Sequence, residues 1–192
     1  MKKIISLIFI SLTLQSCIFA VGTAAGAAAV AAVYDHRKVE QVMKDQKIAN
    51  NAIDAINAIP GIRNNDNHIN VTTFNQVILL TGQVSTPELK QQVEEAAKAS
   101  GDSKQVYNQL TVRGPISTLT RGSDAWITAK IKTEMLTMKD LKSSSIKVVT
   151  ENGAVYLMGI VNHEQAENAV DIAREVAGVQ KVVRVFQYED NT

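Results

Sequence analysis

The second half of this chain repeats the first, and that duplication limits the possible folds more than any other feature. Ile69-Asn70-Val71-Thr72 returns as Ile146-Lys147-Val148-Val149. Val77-Ile78-Leu79-Leu80-Thr81-Gly82-Gln83-Val84 returns as Ala154-Val155-Tyr156-Leu157-Met158-Gly159-Ile160-Val161. The interval from Ile69 to Gly82 equals that from Ile146 to Gly159, and Gly101 and Gly178 keep the same offset. Beyond them the first copy carries one extra residue, so Val106-Tyr107-Asn108 aligns with Val182-Val183-Arg184.

Each copy predicts the same order of elements. A helix comes first, over Lys47–Ile59 and again over Asp124–Met138, with Pro60-Gly61 stopping the first. Two strands follow, Ile69–Thr72 with Val77–Val84, and Ile146–Thr150 with Val155–Val161. Asn152-Gly153 is a strong hairpin turn. Ser85-Thr86-Pro87-Glu88 has the pattern of a capping box with proline in the first turn, and Asn162 with Gln165 offers a similar start. Leu89, Val93, Ala96 and Ala97 share one face of this second helix, as do Ala166, Ala169, Val170, Ala173 and Ala177 in the other copy. Gly101 and Gly178 suit the left-handed residue after a helix. Gly82 and Gly159 recur where a strand is expected to end. A last strand alternates at Val106, Asn108, Leu110 and Val112, and at Val182, Arg184, Phe186 and Tyr188. The fold class is α+β: two tandem αββαβ units, each a three-stranded mixed sheet with two helices on one face. Units this small are marginal alone, so the free sheet faces are expected to bring the copies together.

The repeated order of strand, Leu-x-Gly, Val, capped helix, Gly-Val and strand resembles the BON domain. Asp124-Ala125-Trp126-Ile127-Thr128 and Thr150-Glu151-Asn152-Gly153 followed by Val155-Tyr156-Leu157-Met158-Gly159 carry the likeness best. The domains expected are residues 47–113 and 124–189, with 114–123 as a linker.

The N-terminus supplies a second resemblance. Met1-Lys2-Lys3 precedes an apolar run from Ile4 to Leu14, the length of a signal-peptide core. Leu14-Gln15-Ser16-Cys17 then resembles the lipobox of bacterial lipoproteins, Gln15 being the one departure from small residues. The likeness implies cleavage after residue 16, and acylation of Cys17, palmitate included. Cys17 is the single cysteine, so no disulfide competes for it. Ile18, where Asp would retain a lipoprotein in the inner membrane, implies the outer membrane, facing the periplasm. Residues 18–33 are apolar or small and are expected, with residues 34–46, to form a lipid-proximal tether and linker. A transmembrane anchor with Gly22 and Gly26 spaced for helix pairing is the alternative.

Two BON domains behind a lipobox resemble a family of outer-membrane lipoproteins. That resemblance implies binding of anionic phospholipid (phosphatidylglycerol or cardiolipin) by the second domain, with roles in outer-membrane integrity and at the division site.

Catalytic chemistry is hard to find. His36, His68 and His163 share no metal-ligand spacing, and no nucleophile turn or phosphate-cradling glycine loop occurs. We expect no enzyme, no cofactor and no metal. The near-neutral balance of the mature chain argues against nucleic acid as a partner.

One helix face stands apart. At 100° per residue Ile127, Ile131, Met135 and Met138 form a core stripe, whereas Trp126, Lys130, Thr133 and Thr137 turn away from it. The only tryptophan therefore points outward, beside a lysine. Residues 121–147 hold six Lys/Arg against three Asp/Glu, while the rest of the mature chain holds 12 against 16. An indole and a snorkelling lysine suit a membrane–water boundary. The expected phospholipid contact is Trp126, Ile127, Thr128, Lys130, Thr133, Leu136, Thr137 and Met138. Packing of Trp126 between the domains, or docking of a protein of the envelope or division machinery on the same face, stays open.

Overall fold

The computed structural model describes residues 39–139 and 141–189. Cys17, the lipobox, residues 18–33 and His36 lie outside them. Among the described residues no helix is long and apolar enough to cross a membrane.

The first repeat comprises α1 (Val39–Asn57), β1 (His68–Phe74), β2 (Val77–Val84), α2 (Pro87–Ala99), β3 (Gln105–Asn108) and β4 (Thr111–Val112). The second comprises α3 (Thr118–Thr137), a 3-10 turn (Ser143–Ser145), β5 (Ile146–Glu151), β6 (Ala154–Val161), α4 (His163–Glu175) and β7 (Lys181–Tyr188). In each sheet the middle strand runs antiparallel to its hairpin partner and parallel to the last strand. This is the expected mixed α+β unit, twice.

Alternation sorts the side chains of each middle strand to two cores. Ile78, Leu80 and Val84 face α1 and α2 beside Ile48, Ala52, Ile56, Val93 and Ala97. Val155, Leu157 and Val161 face α3 and α4 beside Ile127, Ile131, Met135, Ala169 and Val170. The opposite faces meet one another: Phe74, Val77 and Leu79 join Tyr156, Met158 and Val185 in a third apolar cluster. The two sheets thus cover each other, with helices on both outer sides, and the repeats form one body, as their small size led us to expect.

Several boundaries differ from expectation. α1 begins at Val39, eight residues before Lys47. α3 begins at Thr118, six before Asp124, because the Ser117 hydroxyl caps it by accepting from the Thr120 amide at 3.1 Å. Residues 118–123 of the expected linker are therefore helical, and Gly122 is tolerated on an exposed turn rather than breaking it. Thr86, not Ser85, caps α2, with Pro87 in its first turn. α3 stops at Thr137, which leaves Met138 exposed rather than in the core stripe. α4 stops at Glu175, so Val176 fills the place expected of Ala177. The last strand of the first repeat is split at Gln109 and Leu110. There the Asn108 side chain turns aside to donate to the Lys90 carbonyl and to Glu94, both at 3.0 Å.

Gly82 and Gly159 do not end their strands, which run on to Val84 and Val161. A β-carbon on Gly82 would lie 2.0 Å from the His68 carbonyl oxygen, and one on Gly159 would lie 2.8 Å from that of Ser145. Close passage of the neighbouring backbone is what demands glycine at both places.

Candidate functional site

α3 is held from its inner side. Ile127, Ile131 and Met135 are buried between the sheet and α4. Asp124, one turn earlier, is buried as well. Its two carboxylate oxygens accept from the backbone amides of Asn152 and Gly153 at 2.7 and 2.8 Å. Those amides form the β5–β6 turn, where Asn152 and Gly153 both take positive φ. The helix is thereby locked to the hairpin tip as well as to the core.

The outer side is also poor in charge. Leu119, Gly122, Trp126, Ala129, Thr133, Leu136 and Thr137 fall within an arc of about 100° around the helix axis. Leu119 is 83% exposed, Trp126 54% and Leu136 64%. Thr133 donates its hydroxyl to the Ala129 carbonyl at 2.9 Å, and Thr137 donates to the Glu134 carbonyl at 2.7 Å. Both donors are satisfied inside the helix, so the face tolerates loss of water. Arg121 and Lys132 border the arc on one flank, Lys130 and Glu134 on the other. Lys130 is not an unmatched cation: its ammonium lies 2.6 Å from a Glu134 oxygen.

α3 therefore carries two apolar faces, one buried and one open. A helix that only covers its own sheet needs the first alone. Of the eight residues expected at the contact, Trp126, Lys130, Thr133, Leu136, Thr137 and Met138 are exposed. Ile127 and Thr128 are not part of that surface. Ile127 lies in the core, about 100° round the helix from Trp126, and Thr128 about 160° round. Thr128 donates its hydroxyl to that of Thr150 on β5 at 2.8 Å. Sequence reasoning missed Leu119, because the helix was expected to start after it. The i, i+7 spacing of Leu119 and Trp126 behind the Ser117 cap was the available signal.

The positive region is smaller than its count. The Lys147 ammonium donates to the Thr73 carbonyl of the first repeat at 3.3 Å, across the junction between the sheets. His68 opens β1, with its Nε2 3.3 Å from Asn70 Nδ2, and His163 stacks on Tyr188 with ring centroids 4.3 Å apart. Among the described residues no three His, Cys, Asp or Glu side chains converge as metal ligands would.

The BON domain family model matches residues 44–114 and again 123–190. The outer membrane lipoprotein DolP of Haemophilus influenzae is 33% identical over 190 residues, covering 99% of this chain and 97% of the relative. A 21 kDa hemolysin of Actinobacillus pleuropneumoniae is 35% identical over 120 residues, 62% of each chain. The osmotically-inducible protein Y of Escherichia coli K12 is 30% identical over 148 residues, covering 76% of this chain and 73% of that one. With a matching domain in each repeat and an alignment along nearly its whole length, the chain belongs to the BON family as a two-domain protein of the DolP type.

Proposed function

We propose that this is a non-enzymatic outer-membrane lipoprotein that binds anionic phospholipid through the outer face of α3. Cys17 holds it permanently through acyl chains. The α3 face gives it lateral preference for membrane rich in phosphatidylglycerol or cardiolipin, and through that a part in membrane integrity and at the division site. The name of the Haemophilus influenzae relative supports the outer membrane and the lipid anchor.

One observation carries the lipid reading: the only tryptophan stands half exposed on an uncharged arc of a helix whose opposite arc is already buried. An indole at headgroup depth buries its ring and keeps its N–H hydrogen-bonded. Leu119 and Leu136 extend the apolar contact to either side. Arg121 and Lys132 then meet headgroup phosphates, each adding about 1 kcal/mol when well placed.

The test uses the mature chain with Cys17→Ser, titrated with vesicles of phosphatidylglycerol and, separately, of phosphatidylcholine. Trp126 emission is expected to move to the blue with the anionic vesicles only. If it does not move with either, or if Trp126→Ala binds phosphatidylglycerol as well as the parent but loses a protein partner, the face is a protein-docking surface instead.

A further inference from the structure

Equivalent positions of the repeats share one fold, so a departure between them needs its own physical account. Gln83 stands where the second repeat has Ile160. It lies on the side of β2 that faces the other sheet and is 0% exposed. A carboxamide so placed is costly unless both of its ends are matched. Its Nε2 donates to Glu151 Oε1 at 2.7 Å, and its Oε1 accepts from the Ile116 amide at 3.3 Å. The other Glu151 oxygen accepts from Asn70 Nδ2 at 3.1 Å.

Followed outward, these bonds close a ring. Ile116 is buried and directly precedes Ser117, the cap of α3. Its carbonyl accepts from the Arg121 guanidinium at 3.3 Å. α3 then leads to Asp124, Asp124 to the amides of Asn152 and Gly153, and the chain from Asn152 back to Glu151 and Gln83. The geometry points to Gln83 as a positioning residue: one carboxamide of the first repeat fixes both the start of α3 and the tip of the β5–β6 hairpin. Burial between the sheets is non-directional and would allow them to turn on each other. The hydrogen bonds at Gln83 and Glu151, with those from Asn75 Nδ2 to Gln187 Oε1 at 2.8 Å and from Lys147 to Thr73 at 3.3 Å, choose one setting. The first repeat thereby sets the attitude of the Trp126 face, although it contributes no residue to it.

The claim about orientation stands on these contacts alone; its consequence for lipid rests on the proposed function. The test compares the mature Cys17→Ser chain with the same chain carrying Gln83→Leu, which keeps the volume and removes the bonds. Residual dipolar couplings from the two repeats of the parent should fit one alignment tensor. In Gln83→Leu each repeat should keep its own internal couplings, but one tensor should no longer fit both. Exchange of the Ile116 amide should rise at least about tenfold, and affinity for phosphatidylglycerol vesicles should fall about three- to tenfold.

If Gln83→Leu does not fold, Glu151→Ala puts the same question through a side chain that is only half buried. If both fold, the double variant should lose less than the sum of the two single variants, because the two groups share one hydrogen bond. A single tensor and unchanged Ile116 exchange in Gln83→Leu, or a single tensor in Glu151→Ala where only that variant folds, would overturn the proposal. If the parent shows no affinity for phosphatidylglycerol, the lipid reading is lost while couplings and exchange still decide the role of Gln83.

Discussion

Asp45 and Asp124 hold the same post in the two repeats: each sits on the first helix of its unit and ties both amides of a hairpin turn. Asp45 accepts from Asn75 at 2.7 Å and from Gln76 at 2.8 Å. Asp124 accepts from Asn152 and Gly153 at the same two distances. Both carboxylates are buried. Replacing either by Ala leaves two amides without partners, at about 1–3 kcal/mol for each that stays dry. Asp124→Ala and Asp45→Ala should each lower unfolding free energy by about 2–4 kcal/mol in urea titrations. Asp→Asn, which keeps one acceptor oxygen, should fall between.

The two turns differ in one residue. Gln76 has φ 67° where the second repeat has Gly153 at φ 75°. A left-handed conformation costs a side-chain-bearing residue about 1 kcal/mol, and two-residue hairpins favour Asn-Gly for that reason. Gln76→Gly should therefore stabilise the chain by about 0.5–1 kcal/mol, read as a rise in the urea midpoint at constant slope.

Gly82 and Gly159 predict the opposite sign. Ala at 82 would push into the His68 carbonyl and must also hold φ 116°, whereas Ala at 159 meets the Ser145 carbonyl less severely and without a positive φ. Gly82→Ala should cost about 3 kcal/mol or more, and Gly159→Ala about 1–3 kcal/mol. A thermal melt that ranks them the other way would show that β1 yields more readily than the start of β5.

How far the sequence disclosed this fold depended on whether a signal was local. Strand pairs, the Asn162 cap and the αββαβ order follow from alternation and turn chemistry, which act within a few residues. Contact between the sheets was legible only as a need, because Leu79 and Tyr156 show that a face is apolar and not what covers it. The start of α3 was missed because Gly114, Pro115 and Gly122 read as a loop, while the Ser117 cap and the Gln83 bond to Ile116 outweigh them. The roles of Gly82, Gln83 and Glu151 were out of reach, since each depends on a neighbour brought close by the fold. Trp126 was correctly turned outward, because a helical wheel needs only the core stripe to be right.

Glu94 offers a pH signature outside the α3 face. A hydrogen bond from the Lys98 ammonium, and then one from the Asn108 side-chain Nδ2, holds its carboxyl below the ordinary carboxylate range. A lowered folded value means stability that is present above the unfolded value and lost as pH falls through the folded one. The pair is well solvated, so the contribution should stay below about 1 kcal/mol. Glu94→Gln should thus be slightly less stable than the parent at neutral pH, and the gap should close in acid and in high salt. A gap that persists in acid would assign it to the Asn108 contact rather than to charge.

The open face of α3 makes a prediction that separates apolar insertion from simple charge attraction. Lys130 and Glu134 pair at 2.6 Å and together add no net charge at the surface, so removing both changes its attraction to anionic lipid little. Leu119 has no such partner and lies about 20° from Trp126 around the helix, so both enter the headgroup layer together. Burying one leucine is worth about 1.5–3 kcal/mol at full burial, and partial burial at a membrane surface gives a fraction of that. Leu119→Ser should therefore weaken binding to phosphatidylglycerol vesicles about three- to tenfold, with Trp126 emission less blue at saturation. The double variant Lys130→Ala with Glu134→Ala should change affinity by less than about threefold. Lys132→Ala should act mainly at low salt, since attraction to an anionic surface fades beyond about 10 Å at 0.1 M ionic strength. Were the Lys130→Ala, Glu134→Ala double variant the most damaging of these and Leu119→Ser silent, the contact would be made by one flank of the helix rather than by its uncharged arc.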